Sequence, residues 1–172
     1  MHLDMVRAGI VLYGLQPSGV LRNPGDLHPV LTLKTIIDYV KDVHAGDCIS
    51  YGREFKADHD MKFATIPISY ADGLWRSNFR NHMAIEVEGV YTQLLGRVCM
   101  DQCMIDISDI HSAKVDSIVT VYGNGNGGSN SVEQIAEDND TINYEIVCAL
   151  GELVPRVYKK DGYTVEISDN LL

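Results

Sequence analysis

From Val30 onward, the sequence consists of short stretches in which apolar and polar residues alternate, each followed by residues that favour turns. Alternation with a period of two places one set of side chains in a core and the other in solvent, as in antiparallel strands. Between Met83 and Glu88 the pattern is especially regular, and Ala71-Asp72-Gly73 ends another such stretch. The pattern predicts a mainly β fold: a compact, antiparallel, barrel-like domain.

A short helical pair is predicted late in the chain. Ser131 followed by Gln134 is a capping box, which starts one helix. A second helix is predicted from Asp140 or Thr141, and Pro155 ends it. Its apolar face is predicted to contain Ile142, Ile146, Val147 and Leu150. Two closing strands follow, over 156–158 and 163–167.

The N-terminal segment differs from the rest. The apolar run Val6–Leu15 predicts one buried strand that ends in a turn. It is followed by Gln16–Pro29, which holds three prolines and two glycines and is typical of a connector. We therefore predict a domain boundary near residues 16–28, with residues 1–20 as a separate strand and 21–172 as the β domain.

Charge and composition exclude several classes of partner. The net charge is −10, and the 14 Lys and Arg are scattered, which argues against nucleic acid or anionic lipid as partners. We predict no membrane segment, because no run of 18 apolar residues occurs. The cysteines are too few for a disulfide-stapled secreted domain, so we expect a cytoplasmic protein with reduced thiols; they are Cys48, Cys99, Cys103 and Cys148.

Three local patterns resemble binding motifs but are better explained by structure. Gly123–Gly128 lacks the Lys-Ser/Thr of a P-loop and is typical of a hairpin turn. Asp58-His59-Asp60 lies at a polar tip, as a solvated loop does. Cys99 and Cys103 are predicted on one face of a strand, but no second pair completes a zinc site. We predict no bound metal.

Two segments combine apolar strands with polar residues at their ends. Ile68–Arg76 places Tyr70 at a strand end beside Asp-Gly turn residues, and Gly96–Met104 interrupts an apolar strand pair with Arg, Asp and Gln. A tyrosine at such a rim either packs and hydrogen-bonds locally or reaches across an interface. The second segment forms either a buried ion pair or part of a site. Composition and spacing do not name a reaction.

These residues carry a resemblance to alanine racemases that runs nearly end to end. Five motifs occur in the family's order: M-V-R-A-G-I at 5–10, C-I-S-Y-G at 48–52, T-I-P-I-S-Y-A-D-G at 65–73, G-R-V-C-M-D-Q at 96–102 and T-I-N-Y-E at 141–145. The resemblance implies the C-terminal β domain of a fold-type III racemase. It also implies that residues 1–20 are the last strand of an N-terminal α/β barrel that holds pyridoxal 5'-phosphate (PLP) through a lysine.

The resemblance also implies a function and a partner. The family interconverts L- and D-alanine, an amino acid used in cell-wall peptidoglycan, and works as a head-to-tail homodimer, so this domain would reach the partner subunit's barrel. Racemisation needs an acid and a base on opposite faces of the α-carbon. By resemblance, Tyr70 is the base for L-alanine. Because a free tyrosine ionises near pH 10, it needs positive neighbours to act near neutral pH.

The other site residues are likewise implied by the resemblance. Arg7 faces the pyridine nitrogen of PLP, the backbone of Gly9 and Ile10 contacts its phosphate, the Met100 N–H meets the substrate carboxylate, and Arg97 lies at the substrate entrance. Each of these roles is an expectation at this stage.

Departures from the family pattern leave alternatives open. Ser69 stands where the family often has Gly, and Glu152 where a tyrosine commonly touches the phosphate. Serine racemases of vancomycin resistance, which are membrane-anchored, share this domain, so serine is the alternative substrate and the parent protein could be anchored. A non-catalytic binding module is the alternative outside enzymes. Because none of the lysines lies in a motif that matches the cofactor lysine, we expect this chain alone to be inactive; they are Lys34, Lys41, Lys56, Lys62, Lys114, Lys159 and Lys160.

Overall fold

The computed structural model describes residues 4–20, 25–123 and 130–170, and within them the chain is mainly β with two short α-helices. The predicted antiparallel, mainly β class with a helical pair is confirmed. The strands are β1 Leu33–Ile36, β2 Tyr39–Val43, β3 Cys48–Ile49, β4 Phe55–Lys56, β5 Met61–Ile66, β6 Ala84–Val87, β7 Val90–Gln93, β8 Cys103–Asp106, β9 Ile118–Tyr122, β10 Arg156–Lys160 and β11 Tyr163–Ser168, and the helices are α1 Val132–Asp138 and α2 Asn143–Cys148.

Two sheets enclose the main core. One has the strand order β1-β9-β6-β7 and the other β2-β5-β8, all antiparallel. At one end the sheets meet through a single bridge between Leu94 and Ile105. At the other, the chain passes from β1 into β2 within two residues, and Ile37 N–H donates to Ser117 O while Asp38 N–H donates to Thr65 O. The two sheets thus follow each other around the core, as expected for a barrel-like domain.

Alternating strands supply this core. In β6, Ile85 and Val87 are fully buried while Glu86 between them is half-buried, so the pattern correctly predicted the inward face. Ile37, Ile66 and Ile105 join them with no exposed surface. A second, smaller cluster lies under β3 and β5 and consists of Val43, Ile49, Ala57, Met61, Phe63, Leu95 and Met104.

The predicted buried strand over Val6–Leu15 is wrong. The segment contains a 3₁₀ helix, Gly9–Tyr13, and Val6 is 79% exposed. Gly9 and Gly14 have φ of 63° and 69°, which turns the backbone out of an extended path. Only Ile10 and Leu15 are buried, both in the main core. Whether residues 1–20 belong to a separate barrel domain stays a prediction.

The alternating segments Gly89–Leu95 and Val98–Ile107 also predict an antiparallel strand pair, and this pair forms only at one end, where Leu94 bridges Ile105 and Leu95 N–H donates to Met104 O. Strand β7 pairs with β6, and β8 pairs with β5. Gly96, with φ of 72°, starts a turn after β7, and Cys99 N–H donates to Gln102 O at 3.0 Å before β8 begins. Cys99 therefore lies in a loop. The prediction that Cys99 and Cys103 share one face of a strand is wrong.

The helical pair forms with altered details. Ser131 Oγ accepts from Gln134 N–H at 3.2 Å, but the Gln134 side chain donates to Asp138 instead of closing the capping box. Helix α2 begins two or three residues later than predicted, and Ile142, which precedes the helix, is 59% exposed. The closing strands form the hairpin β10–β11. After Gly123, the glycine run lies outside the described residues.

Neither a disulfide nor a metal-binding cluster is found among the described residues. The four cysteines are free, and burial raises the pKa of Cys103, as in an unreactive core thiol. Within residues 4–20, 25–123 and 130–170, no group of His, Cys, Asp and Glu could hold a metal ion. Among the same residues, no helix is long and apolar enough to cross a membrane.

Candidate active site

The two segments that combine apolar strands with polar ends, Ile68–Arg76 and Gly96–Met104, lie side by side and form one rim of the domain. Strands β5 and β8, which precede and follow them, are paired from Phe63–Asp106 to Ile66–Cys103. Beyond this pairing, Tyr70 N–H donates to Cys99 O at 3.4 Å. The backbone of the Tyr70 turn is thus attached to the loop that carries Arg97 and Met100.

A third segment, Ser50–Gly52, completes this rim. Ser50 Oγ donates to Arg97 O at 2.6 Å. Gly96 packs so tightly here that a Cβ on it would lie 2.5 Å from Ser50 Cβ. The Arg97 guanidinium lies over Gly52, 3.5 Å from the place where a Cβ would be. An open cleft of about 500 Å³ borders this side of the rim.

Hydrogen bonds from and to Ser69 hold the turn that carries Tyr70. This serine has no exposed surface; its hydroxyl donates to Asp72 Oδ2 at 2.8 Å and accepts from Ala71 N–H at 3.2 Å. Ser69 O also accepts from Leu74 N–H at 2.9 Å. Tyr70 itself is 40% exposed.

A fourth segment, 149–152, closes the rim on the side of this turn. Gly151 N–H donates to Asp72 O at 3.1 Å. Gly73 has a φ of 110°, and a Cβ on it would lie 2.4 Å from Ala149 O. Glu152, next in sequence, is exposed beside the turn and lines a small cleft of about 280 Å³. Four segments far apart in sequence therefore converge on one end of the domain.

Glu54, to which the sequence assigned no role, forms ion pairs with two arginines at the rim. Its carboxylate accepts hydrogen bonds from Arg97 and, at 2.6 Å, from Arg80. The two guanidinium groups lower the pKa of Glu54 to about 2, so the carboxylate is ionised far below neutral pH. Asp101 and Gln102 are exposed, so the ion pair that could have formed within Gly96–Met104 is instead a half-exposed pair between Arg97 and Glu54.

The remaining predicted residues fall into two separate groups. Met100 is 58% exposed in the loop beside Cys99, on the rim. Arg7 and Gly9 are exposed on the N-terminal segment, whereas Ile10 is only 4% exposed as a whole residue. Within the described residues, no hydrogen bond or ion pair joins Arg7, Gly9 or Ile10 to the rim.

One exposed rim residue was quoted in a motif but given no role. Tyr51 is 65% exposed, the more exposed of the two rim tyrosines. It lies between Ser50 and Gly52, both of which contact Arg97, and Arg53 follows it. A tyrosine followed closely by an arginine in the C-I-S-Y-G motif was a signal that could have pointed to it.

Comparison with known proteins identifies the family of this chain. Residues 30–158 match the family model for the alanine racemase C-terminal domain. The chain belongs to the alanine racemase family. It is 44% identical over 168 residues to the alanine racemase of Clostridium tetani and 48% identical over 157 residues to that of Halothermothrix orenii, covering 97% and 91% of this chain.

Solved alanine racemases have the same fold. The enzyme of Clostridium difficile 630 superposes with a TM-score of 0.91 at 38% identity over 99% of this chain. The Bacillus anthracis enzyme, with bound L-Ala-P, gives 0.87 at 35% identity over 95%. This chain spans 43% of the length of the C. tetani relative and 44% of that of the C. difficile structure. It corresponds to the C-terminal domain of the alanine racemase family.

Proposed function

We propose that this chain is the part of a PLP-dependent alanine racemase that completes the active site with a tyrosine base and substrate-binding groups. The convergence of four turn segments on one rim, in a member of this family, is the observation that carries the proposal. Exposed phenol, amide and guanidinium groups meet there, and these are the groups needed to move a proton and to bind a carboxylate.

The N-terminal segment has room and charge for PLP. Gly9 has open space where a Cβ would stand, so a phosphate can approach its backbone. The first N–H groups of a helix lack partners within the helix, and Gly9 and Ile10 begin the 3₁₀ helix. Arg7 forms no ion pair with any described residue and can face the pyridine nitrogen. When bound, PLP supplies the electron sink that makes the α-proton removable.

The substrate carboxylate is proposed to bind at the Met100 amide. Among the described residues this N–H donates no hydrogen bond, and it lies in the loop that also carries Arg97. The Arg97 guanidinium keeps a positive charge near the entrance, which attracts an amino acid by its carboxylate. The roles assigned to Met100 and Arg97 by resemblance are therefore retained in the proposal.

The identity of the base is a choice between two tyrosines. Resemblance assigned it to Tyr70, whose nearest charged neighbour along the turn is Asp72. Tyr51 is more exposed and lies beside Gly52, over which the Arg97 guanidinium rests. The greater exposure of Tyr51, and its place next to the residue over which the Arg97 guanidinium lies, support Tyr51 as the base and Tyr70 as a residue lining the entrance.

The active site is proposed to form between two subunits. The Arg7–Ile10 group and the tyrosine rim share no hydrogen bond or ion pair within the described residues, which fits a site whose two halves come from different copies. A head-to-tail homodimer would place this rim against the barrel of the partner.

A chimera tests the function directly. We expect that replacing the matching segment of the C. tetani alanine racemase with this chain yields an enzyme that interconverts L- and D-alanine, whereas the 172-residue chain alone does not. Circular dichroism of alanine solutions measures both. An inactive but folded, PLP-containing chimera would favour the non-catalytic module, and a preference for serine would favour the alternative substrate.

Glu152 provides a separate prediction about PLP. By resemblance, a tyrosine at this position touches the phosphate, and a carboxylate there repels it. We expect Glu152→Tyr in the chimera to lower the Kd for PLP about fivefold, since relief of one exposed like-charge contact is worth on the order of 1 kcal/mol. Absorbance titration of the apoenzyme measures it. Glu137→Gln, which removes an exposed carboxylate of α1, is the control, and an unchanged Kd for Glu152→Tyr would place this side chain away from the phosphate.

A further inference from the structure

Glu54 uses both carboxylate oxygens to join two arginines. One oxygen accepts from Arg97 Nε, and the other accepts from Arg80 Nε at 3.1 Å and Nη2 at 2.6 Å. The Glu54 side chain is 23% exposed, compared with 35% for Arg97 and 65% for Arg80. The Arg97 contact is thus the more sheltered of the two.

This single carboxylate connects three segments of the rim. Glu54 precedes β4, Arg97 lies in the loop between β7 and β8, and Arg80 follows the 3₁₀ turn Arg76–Phe79. The backbone of Arg97 is already held by Ser50 Oγ. The Arg97 side chain has no other ion-pair partner among the described residues.

The direction of the Arg97 guanidinium therefore depends on Glu54. An arginine side chain has many rotamers in solution, and a fixed carboxylate selects those that satisfy its planar fork. In the selected orientation the guanidinium lies over Gly52, beside Tyr51. Two arginines and one carboxylate also leave a net positive charge at this point of the rim.

We propose that Glu54 is a positioning residue that holds the Arg97 guanidinium over Gly52, and so fixes the cationic group that attracts the substrate carboxylate at the entrance. This inference rests on the proposed function, because the proposed function is what gives this rim an amino acid substrate. It assigns a role to a residue outside the five motifs that resemble the family.

The test uses Glu54→Gln in the chimera, which keeps the shape of the side chain but removes its charge. We expect the KM for alanine to rise about fivefold with kcat within about twofold, as for loss of a contact that serves binding. Glu54→Asp, whose carboxylate is shorter by one methylene, should recover part of the loss.

Arg80→Gln is the matched control. It removes the other arginine from the same carboxylate and leaves Arg97 on Glu54, so we expect the KM to stay within about twofold of the parent. In an Arg97→Gln background, Glu54→Gln should have no further effect on KM. A purely structural role would lower Tm without this pattern.

Three results would overturn the inference: a KM unaffected by Glu54→Gln, the same KM rise in the Arg97→Gln background, or an equal rise in Arg80→Gln. An inactive unsubstituted chimera would count against the proposed function, not against Glu54. In that event, hydrogen exchange in the 172-residue chain decides. We expect the amides of 97–100 to exchange at least about threefold faster in Glu54→Gln but not in Arg80→Gln, and equal exchange in both would reject the positioning role.

Discussion

Tyr51→Phe is expected to lower kcat/KM of the chimera for L-alanine by about 100-fold or more, because a general base contributes roughly 10²–10⁴-fold to rate. Since L- and D-alanine are mirror images, their equilibrium constant is one, and kcat/KM must fall equally in both directions. Tyr70→Phe is expected to stay within about tenfold of the parent, as for a residue that lines the entrance.

Isotope exchange makes this test specific for a base on one face. In D₂O, the Tyr51→Phe enzyme should still exchange the α-proton of D-alanine, which the barrel lysine would remove, while exchange of L-alanine is lost. Tyr163→Phe, at a 78% exposed position on β11, is the matched control and should change neither. Loss of L-alanine exchange in Tyr70→Phe alone would return the base to the residue assigned by resemblance.

Gly73→Ala is expected to destabilise the 172-residue chain by about 3 kcal/mol or more, from a strained φ and overpacking against backbone. Its φ is 110°, and the added Cβ would lie 2.4 Å from Ala149 O and 2.8 Å from Ala149 C. Those atoms belong to the segment that holds the Tyr70 turn through Gly151. Urea denaturation measures the loss, and racemisation by the chimera should fall with it because the turn is displaced.

Gly89→Ala separates the two causes of that loss. Gly89 has a φ of 84° but has no atom within 4 Å of an added Cβ. We expect Gly89→Ala to lower the free energy of unfolding by about 1 kcal/mol, which is the conformational penalty alone. Equal losses in the two variants would mean that the approach to Ala149 does not limit stability.

The strands were predictable because each is a local pattern. Met83 to Glu88 alternates over a single strand, and Ser131 with Gln134 starts α1 as predicted. The prediction of an N-terminal strand was wrong because the apolar residues of Val6–Leu15 form a buried strand only where a neighbouring strand is present. Among the described residues this segment has none.

Pairing and charge contacts were not predictable, because both depend on contacts distant in sequence. That β7 pairs with β6 and β8 with β5 depends on the turn at Gly96, which alternation does not reveal. The Glu54 contact with Arg97 joins residues 43 apart in sequence. The resemblance implied roles for Tyr70 and Arg97 in one active site, but only the tertiary structure shows that Glu54 binds Arg97 and that Gly52, next to Tyr51, lies under its guanidinium.

Backbone and small-residue contacts hold the four rim segments together, as between Tyr70 and Cys99 or between Gly151 and Asp72. Among the described residues, the exposed side chains of Tyr51, Tyr70, Met100 and Glu152 form none of these contacts. Replacing the side chains at 70, 100 and 152 should therefore alter which amino acids are processed while most variants still fold. Such a division would let this domain acquire new substrates by point mutation at small cost to its own stability.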